Sequence, residues 1–111
     1  MKDEIVKKTS GMRASTVEEL SANYEQLGIV FRQQLEKLVI NKNRGPWVSI
    51  AFKFQNINGK SWHPSQVMLA FFKNMGGLFT RYSYFNIKSE QEAVKIINFL
   101  ISAFNIDKTK I

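Results

Sequence analysis

Apolar residues Leu20, Tyr24, Leu27, Phe31, Leu35 and Leu38 recur at steps of three and four, the period of a helix with one buried stripe. Two competing capping boxes precede them, Ser15 with Glu18 and Thr16 with Glu19; in each the hydroxyl accepts from a free backbone N–H and the carboxylate reaches back. Asn41-Lys42-Asn43-Arg44-Gly45-Pro46 closes the segment, with a glycine free to turn left-handed and a proline unable to continue a helix. The pattern predicts a long N-terminal helix. Gly28 would sit in its middle at a cost of about 1 kcal/mol relative to alanine, which a close helix crossing or a kink would explain.

From Trp47 the period changes to two. Val48, Ile50, Phe52 and Phe54 fall on one face, and Trp47, Ser49, Ala51, Lys53 and Gln55 on the other, as in a strand buried on one side. Asn58-Gly59 is a hairpin signal, so a second strand should begin near Lys60. His63-Pro64 interrupts it, because proline cannot donate to a ladder. Residues 64–75 therefore read either as a strand with a bulge at Pro64 or as a short helix ending at Gly76. After Gly76-Gly77, residues 78–87 read as a third strand. Thr80, Tyr82, Tyr84 and Asn86 would share one face, with Phe79, Arg81, Ser83, Phe85 and Ile87 on the other. Ser89 with Glu92 makes a further capping box, opening a helix to about Phe104 that is apolar on more than one stripe. Such a helix must be covered on two sides.

These elements predict one α+β domain over residues 15–111, with a long N-terminal helix, an antiparallel sheet of about three strands and a C-terminal helix packed on the sheet. Residues 1–14 mix charges with little periodicity and read as a mobile arm. At 111 residues the chain holds one core and not two. Two strongly apolar helices on a three-stranded sheet leave surplus apolar surface, which predicts a homodimer.

Charge changes this picture most. Between Lys37 and Ser89 there is no Asp or Glu, and the stretch carries ten of the fourteen aromatics. Residues 1–44 sum to +2, residues 45–89 to +5 and residues 90–111 to zero, for a net +7. A basic, acid-free, aromatic segment suits a surface that holds phosphates and stacks bases on rings. The same residues also suit a β-rich core with a solvated basic rim. A pI near 9.8 points to an acidic partner: nucleic acid, an anionic membrane or an acidic protein.

Catalytic chemistry is sparse. There is no cysteine and one histidine, His63, whose place beside a proline suits a structural role. The carboxylates fall outside the predicted strands, so neither a metal site nor a cofactor is expected. Gly76-Gly77 is a turn without a phosphate-loop motif. The absence of cysteine fits the cytoplasm. The nearly apolar run from Ala93 to Phe104 is too short to span a bilayer, and no signal peptide or basic amphipathic helix points to secretion or a membrane.

The expected site is a sheet face on which Trp47, Tyr82 and Tyr84 stack bases while Lys53, Lys60, Lys73, Arg81 and Lys88 contact phosphates. The meander followed by the capped helix in YFNIKSEQEAVKIINFL resembles small single-stranded-DNA-binding proteins, namely whirly-type coactivator domains and the single-strand binders of rod-shaped archaeal viruses. The likeness spans about residues 45–104 and is one of layout. It implies a dimer, sequence-independent binding and a basic sheet groove. The sequence thus predicts a non-enzymatic binder of single-stranded DNA or RNA. The alternative is a small viral or plasmid-encoded interaction module, an inhibitor or regulator that engages an acidic protein.

Overall fold

A computed structural model describes residues 9–10 and 12–110. Eight strands precede one helix: β1 (Thr9–Ser10), β2 (Arg13–Ala14), β3 (Tyr24–Gln26), β4 (Ile29–Arg44), β5 (Trp47–Asn58), β6 (Ser61–Trp62), β7 (Gln66–Met75), β8 (Leu78–Ile87) and α1 (Glu90–Phe104). Seven strands form one antiparallel sheet in the order β1-β3-β4-β5-β7-β8-β2, curled into a half-barrel, with β6 paired to β5. Among the described residues the chain is therefore mainly β with a single α-helix and a 3-10 turn at Lys108–Lys110, not an α+β domain with three strands. Most of the expected mobile arm, residues 1–14, lies outside the described residues.

The expected N-terminal helix is not formed. The Ser15–Glu19 region makes only a turn, in which Glu19 N donates to Thr16 Oγ1 at 3.2 Å and Leu20 N to Val17 O at 3.1 Å. Capping-box chemistry thus operates without a helix behind it. Leu27 and Gly28 then turn the chain between β3 and β4, both at positive φ (54° and 79°), the backbone that a two-residue hairpin of matching twist requires. Gly28 serves this turn rather than a helix crossing. The helical spacing in β4 is a product of bulges: its register against β5 shifts between Gln34 and Glu36, between Val39 and Asn41, and between Asn41 and Arg44. Each inserted residue breaks the period of two, so Phe31, Leu35 and Leu38 mimic steps of three and four.

The second strand divides at His63-Pro64. Ser61–Trp62 returns along β5, and Gln66–Met75 forms β7, a full strand rather than a helix. Gly76 and Gly77, both at positive φ, make the tight turn into β8.

The core lies on the inner face. Val48, Ile50, Phe52 and Phe54 of β5 meet Met68, Ala70 and Phe72 of β7, with Phe52 and Phe72 edge-to-face at 6.1 Å. The other side of this core is Leu20 and Ala22, with Met12, Ala14 and Val17 packed around them. Each fully buried side chain of this size contributes about 1.5–3 kcal/mol, so residues 12–22 act as the lid without which the sheet face would be wet. Polar side chains of β4 clamp the lid's backbone. Lys37 Nζ donates to the carbonyls of Val17 (2.7 Å), Glu18 (3.2 Å) and Leu20 (2.7 Å). Gln34 Oε1 accepts from Ala22 N, and Asn23 Oδ1 accepts from Gln34 N. Burial pushes the Lys37 ammonium below its ordinary pKa, partly offset by Glu18.

Helix α1 has its expected cap: Ser89 Oγ accepts from Glu92 N, and Glu92 Oε1 accepts from Lys88 N. It ends on Asn105 in the left-handed conformation. It does not pack on the sheet, however. None of its residues is buried, and Val94, Ile97, Phe99, Leu100 and Phe104 are exposed. The radius of gyration is 16.1 Å, against about 13 Å for a compact domain of this length, because one curled layer and its lid stand beside an uncovered helix.

Candidate functional site

A bulge decides which residues share a face. The register between β7 and β8 shifts at Phe71/Phe72: Phe71 faces Ser83, while Phe72 faces Arg81. Tyr82 is the extra residue. Beyond the bulge, alternation along β8 is reversed relative to the expected pattern. Tyr84 and Asn86 pair with the buried Ala70 and Met68 and so lie on the inner face, where they join Arg81, which keeps its expected face opposite Phe72. Phe85, expected in the core, is 56% exposed on the outer face.

The expected site residues therefore divide into two groups. On the outer face Trp47 and Tyr82 meet edge-to-face at 5.1 Å, and Lys73 Nζ lies 5.3 Å from the Trp47 ring centroid. Trp47 is 36% and Tyr82 65% exposed, so both rings reach solvent beside a cation. Lys53 is on this face but sits 3.6 Å from Glu36, a carboxylate that the strand assignment of β4 brings onto the sheet. Lys60 lies in the β5–β6 turn and Lys88 follows β8, both exposed and away from this cluster. The outer face also has an apolar row, Leu38, Ala51, Leu69 and Phe85, aligned by register across four strands.

On the inner face the Arg81 guanidinium lies 4.0 Å from the Tyr84 ring centroid, and its Nη1 is 3.7 Å from Met68 Sδ. β4 contributes a second guanidinium to this face. Arg32 of β4 sits 5.7 Å from the Phe54 centroid and 5.8 Å from that of Tyr24, with Nε donating to Ala22 O. Burial, and then the positive charge of Arg81, push the Arg32 guanidinium below its ordinary pKa, although an arginine stays charged at any physiological pH. Alongside, a groove of about 360 Å³ is lined by Tyr24, Glu25, Arg32, Gln33 and Trp62 among others.

Tyr24, Arg32 and Trp62 are absent from the site expected from sequence. The first two lay in the segment assigned to a helix, and Trp62 lay in a strand whose face was unassigned. The signal that could have exposed Arg32 is the Leu27-Gly28 pair, read as a hairpin turn. Lys37, at the head of the acid-free stretch, is occupied by the lid.

Among the described residues no three His, Asp or Glu side chains converge as a metal site. No helix among them is long and apolar enough to cross a membrane. A scan against protein-family models and searches of curated proteins and solved structures found no match.

Proposed function

We propose that this chain binds single-stranded DNA or RNA without catalysis and largely without regard to sequence. The supporting observation is the outer-face cluster of Trp47, Tyr82 and Lys73, in which two solvent-reaching rings stand beside a cation. Any base has a π-face to stack on such rings, at about 1–3 kcal/mol each, and a lysine supplies the phosphate charge. Lys60 and Lys88, away from the cluster, and Arg81, on the inner face, add to the overall positive charge, whereas Lys53 contributes less because Glu36 already holds it. In this reading the protein is cytoplasmic, in keeping with a chain free of cysteine.

The proposal includes a homodimer. A second copy would cover the apolar side of α1, where Val94, Ile97 and Leu100 are exposed; large uncovered apolar patches ordinarily mark association surfaces.

A fluorescence titration tests the reading. With Trp62→Phe to isolate Trp47, oligo-dT, oligo-dA and oligo-U should each quench the emission with similar affinity. Absence of quenching at low salt, together with binding to a polyglutamate or another acidic protein, would favour the alternative of an acidic protein partner.

A further inference from the structure

Arg32 and Arg81 come from opposite sides of the half-barrel, on β4 and β8, with β5 and β7 between them in the sheet. The Arg32 guanidinium lies against Phe54 and that of Arg81 against Met68, core residues of the paired strands β5 and β7, so both charges stand over the inner face. Neither has an ion-pair partner among the described residues; the carboxylates of Glu18 and Glu36 are engaged with Lys42 and Lys53. Glu25 lines the same groove as Arg32 without forming an ion pair with it, and two partly buried like charges left unpaired are costly unless an anion neutralises them. Their donors are also unspent. Arg32 commits Nε to Ala22 O, and Arg81 offers one nitrogen to a thioether sulfur, a weak acceptor, while each guanidinium carries five N–H groups.

The surroundings point to what the anion is attached to. Tyr84, 52% exposed, stacks under Arg81, and Tyr24 flanks Arg32. The Trp62 groove opens beside Arg32. Asn86 lies two residues beyond Tyr84 on the same face, and its Oδ1 is buried with no hydrogen-bond partner, an acceptor in want of a donor. Forked guanidiniums, a stacking ring and an amide together match phosphate, base and base-edge N–H.

We infer that Arg32 and Arg81 form a clamp for a single nucleotide, gripping its phosphate between the guanidiniums while the base stacks on Tyr84 or Tyr24. The clamp is separate from the outer-face cluster but close to it: Tyr82 and Arg81 are adjacent across the β8 bulge. It deepens the nucleic-acid reading and rests on that reading only for the source of the phosphate, a strand or a free mononucleotide.

The test is a series of titrations on the full chain with AMP, adenosine, inorganic phosphate and oligo-dT, read by the Nε–H signals of Arg32 and Arg81 in ¹H–¹⁵N spectra. AMP should shift both signals saturably and bind more tightly than adenosine or phosphate, with no shift from sodium chloride at matched ionic strength. Arg32→Gln and Arg81→Gln should each weaken AMP by at least about tenfold, the loss of a charge-assisted contact. Arg81→Lys should retain part of the binding. Trp47→Ala with Tyr82→Ala should lose oligonucleotide affinity and keep AMP. If oligo-dT displaces AMP, the phosphate is a strand's; if the two bind together, it is a free nucleotide's. Arginine signals unmoved by AMP overturn the clamp even if oligo-dT still quenches Trp47. An AMP shift without oligonucleotide binding upholds the clamp and overturns the strand reading.

Discussion

The Arg81 guanidinium stacks 4.0 Å from the Tyr84 ring centroid, although residues three apart on a regular strand point to opposite faces. The bulge that inserts Tyr82 is what aligns them. It leaves Tyr82 on the outer face against Trp47 and turns Tyr84 inward to join Arg81. One inserted residue thus gives β8 a ring on each face, and a stability or binding measurement on one face should be nearly independent of the other.

That independence predicts the behaviour of outer-face variants. Trp47→Ala and Tyr82→Ala should each weaken oligonucleotide binding by about 1–3 kcal/mol, and the double variant should lose less than the sum, because the rings touch. Lys53→Ala should change affinity little. Filter-binding or fluorescence titrations of the four proteins give the comparison.

Gly28→Ala separates two accounts of the N-terminal half. In a helix the change would stabilise by about 1 kcal/mol. At a φ of 79°, with open space where the Cβ would go, it should instead destabilise by about 1 kcal/mol through backbone strain alone. Leu27→Asn should stabilise, since asparagine tolerates the left-handed conformation that Leu27 adopts. Urea denaturation of both variants reads the sign.

Lys37 joins the lid to the sheet. Lys37→Met removes the donor from three carbonyls at once and should cost about 1–3 kcal/mol, with faster amide exchange across residues 17–22. Lys42→Ala, which breaks only an exposed pair with Glu18, should cost less than about 1 kcal/mol.

The proposed dimer is tested on α1. Ile97→Asp and Leu100→Asp should convert the dimer to monomer in sedimentation velocity. Neither side chain is buried within the subunit, so the monomer's helix content should persist. A wild-type chain that sediments as a monomer at high micromolar concentration would remove the dimer from the account.

Only the part of the sheet after Pro46 was legible in the sequence, and the reasons are local. Trp47–Asn58 alternates strictly over a buried face, Gly76-Gly77 marks the next turn, and Ser89 with Glu92 caps α1. The N-terminal half was not legible, because bulges in β4 replace a period of two with apparent helical steps and because Leu27-Gly28 is an unusual turn pair. The site was half-visible for the same reason. Trp47, Lys73 and Tyr82 do converge, but the bulge in β8 moved Tyr84 away from them, onto the face where alternation already placed Arg81. That Arg32 and Arg81 share the inner face was hidden from the sequence by the missed strand β4.

The salt dependence of oligonucleotide binding tests the central claim most directly. Three to five phosphate contacts should make log K fall with log salt at a slope of about −2 to −4, equally for dT, dA and U strands. Binding that is undetectable at low salt, or insensitive to salt between about 50 and 200 mM, would contradict it.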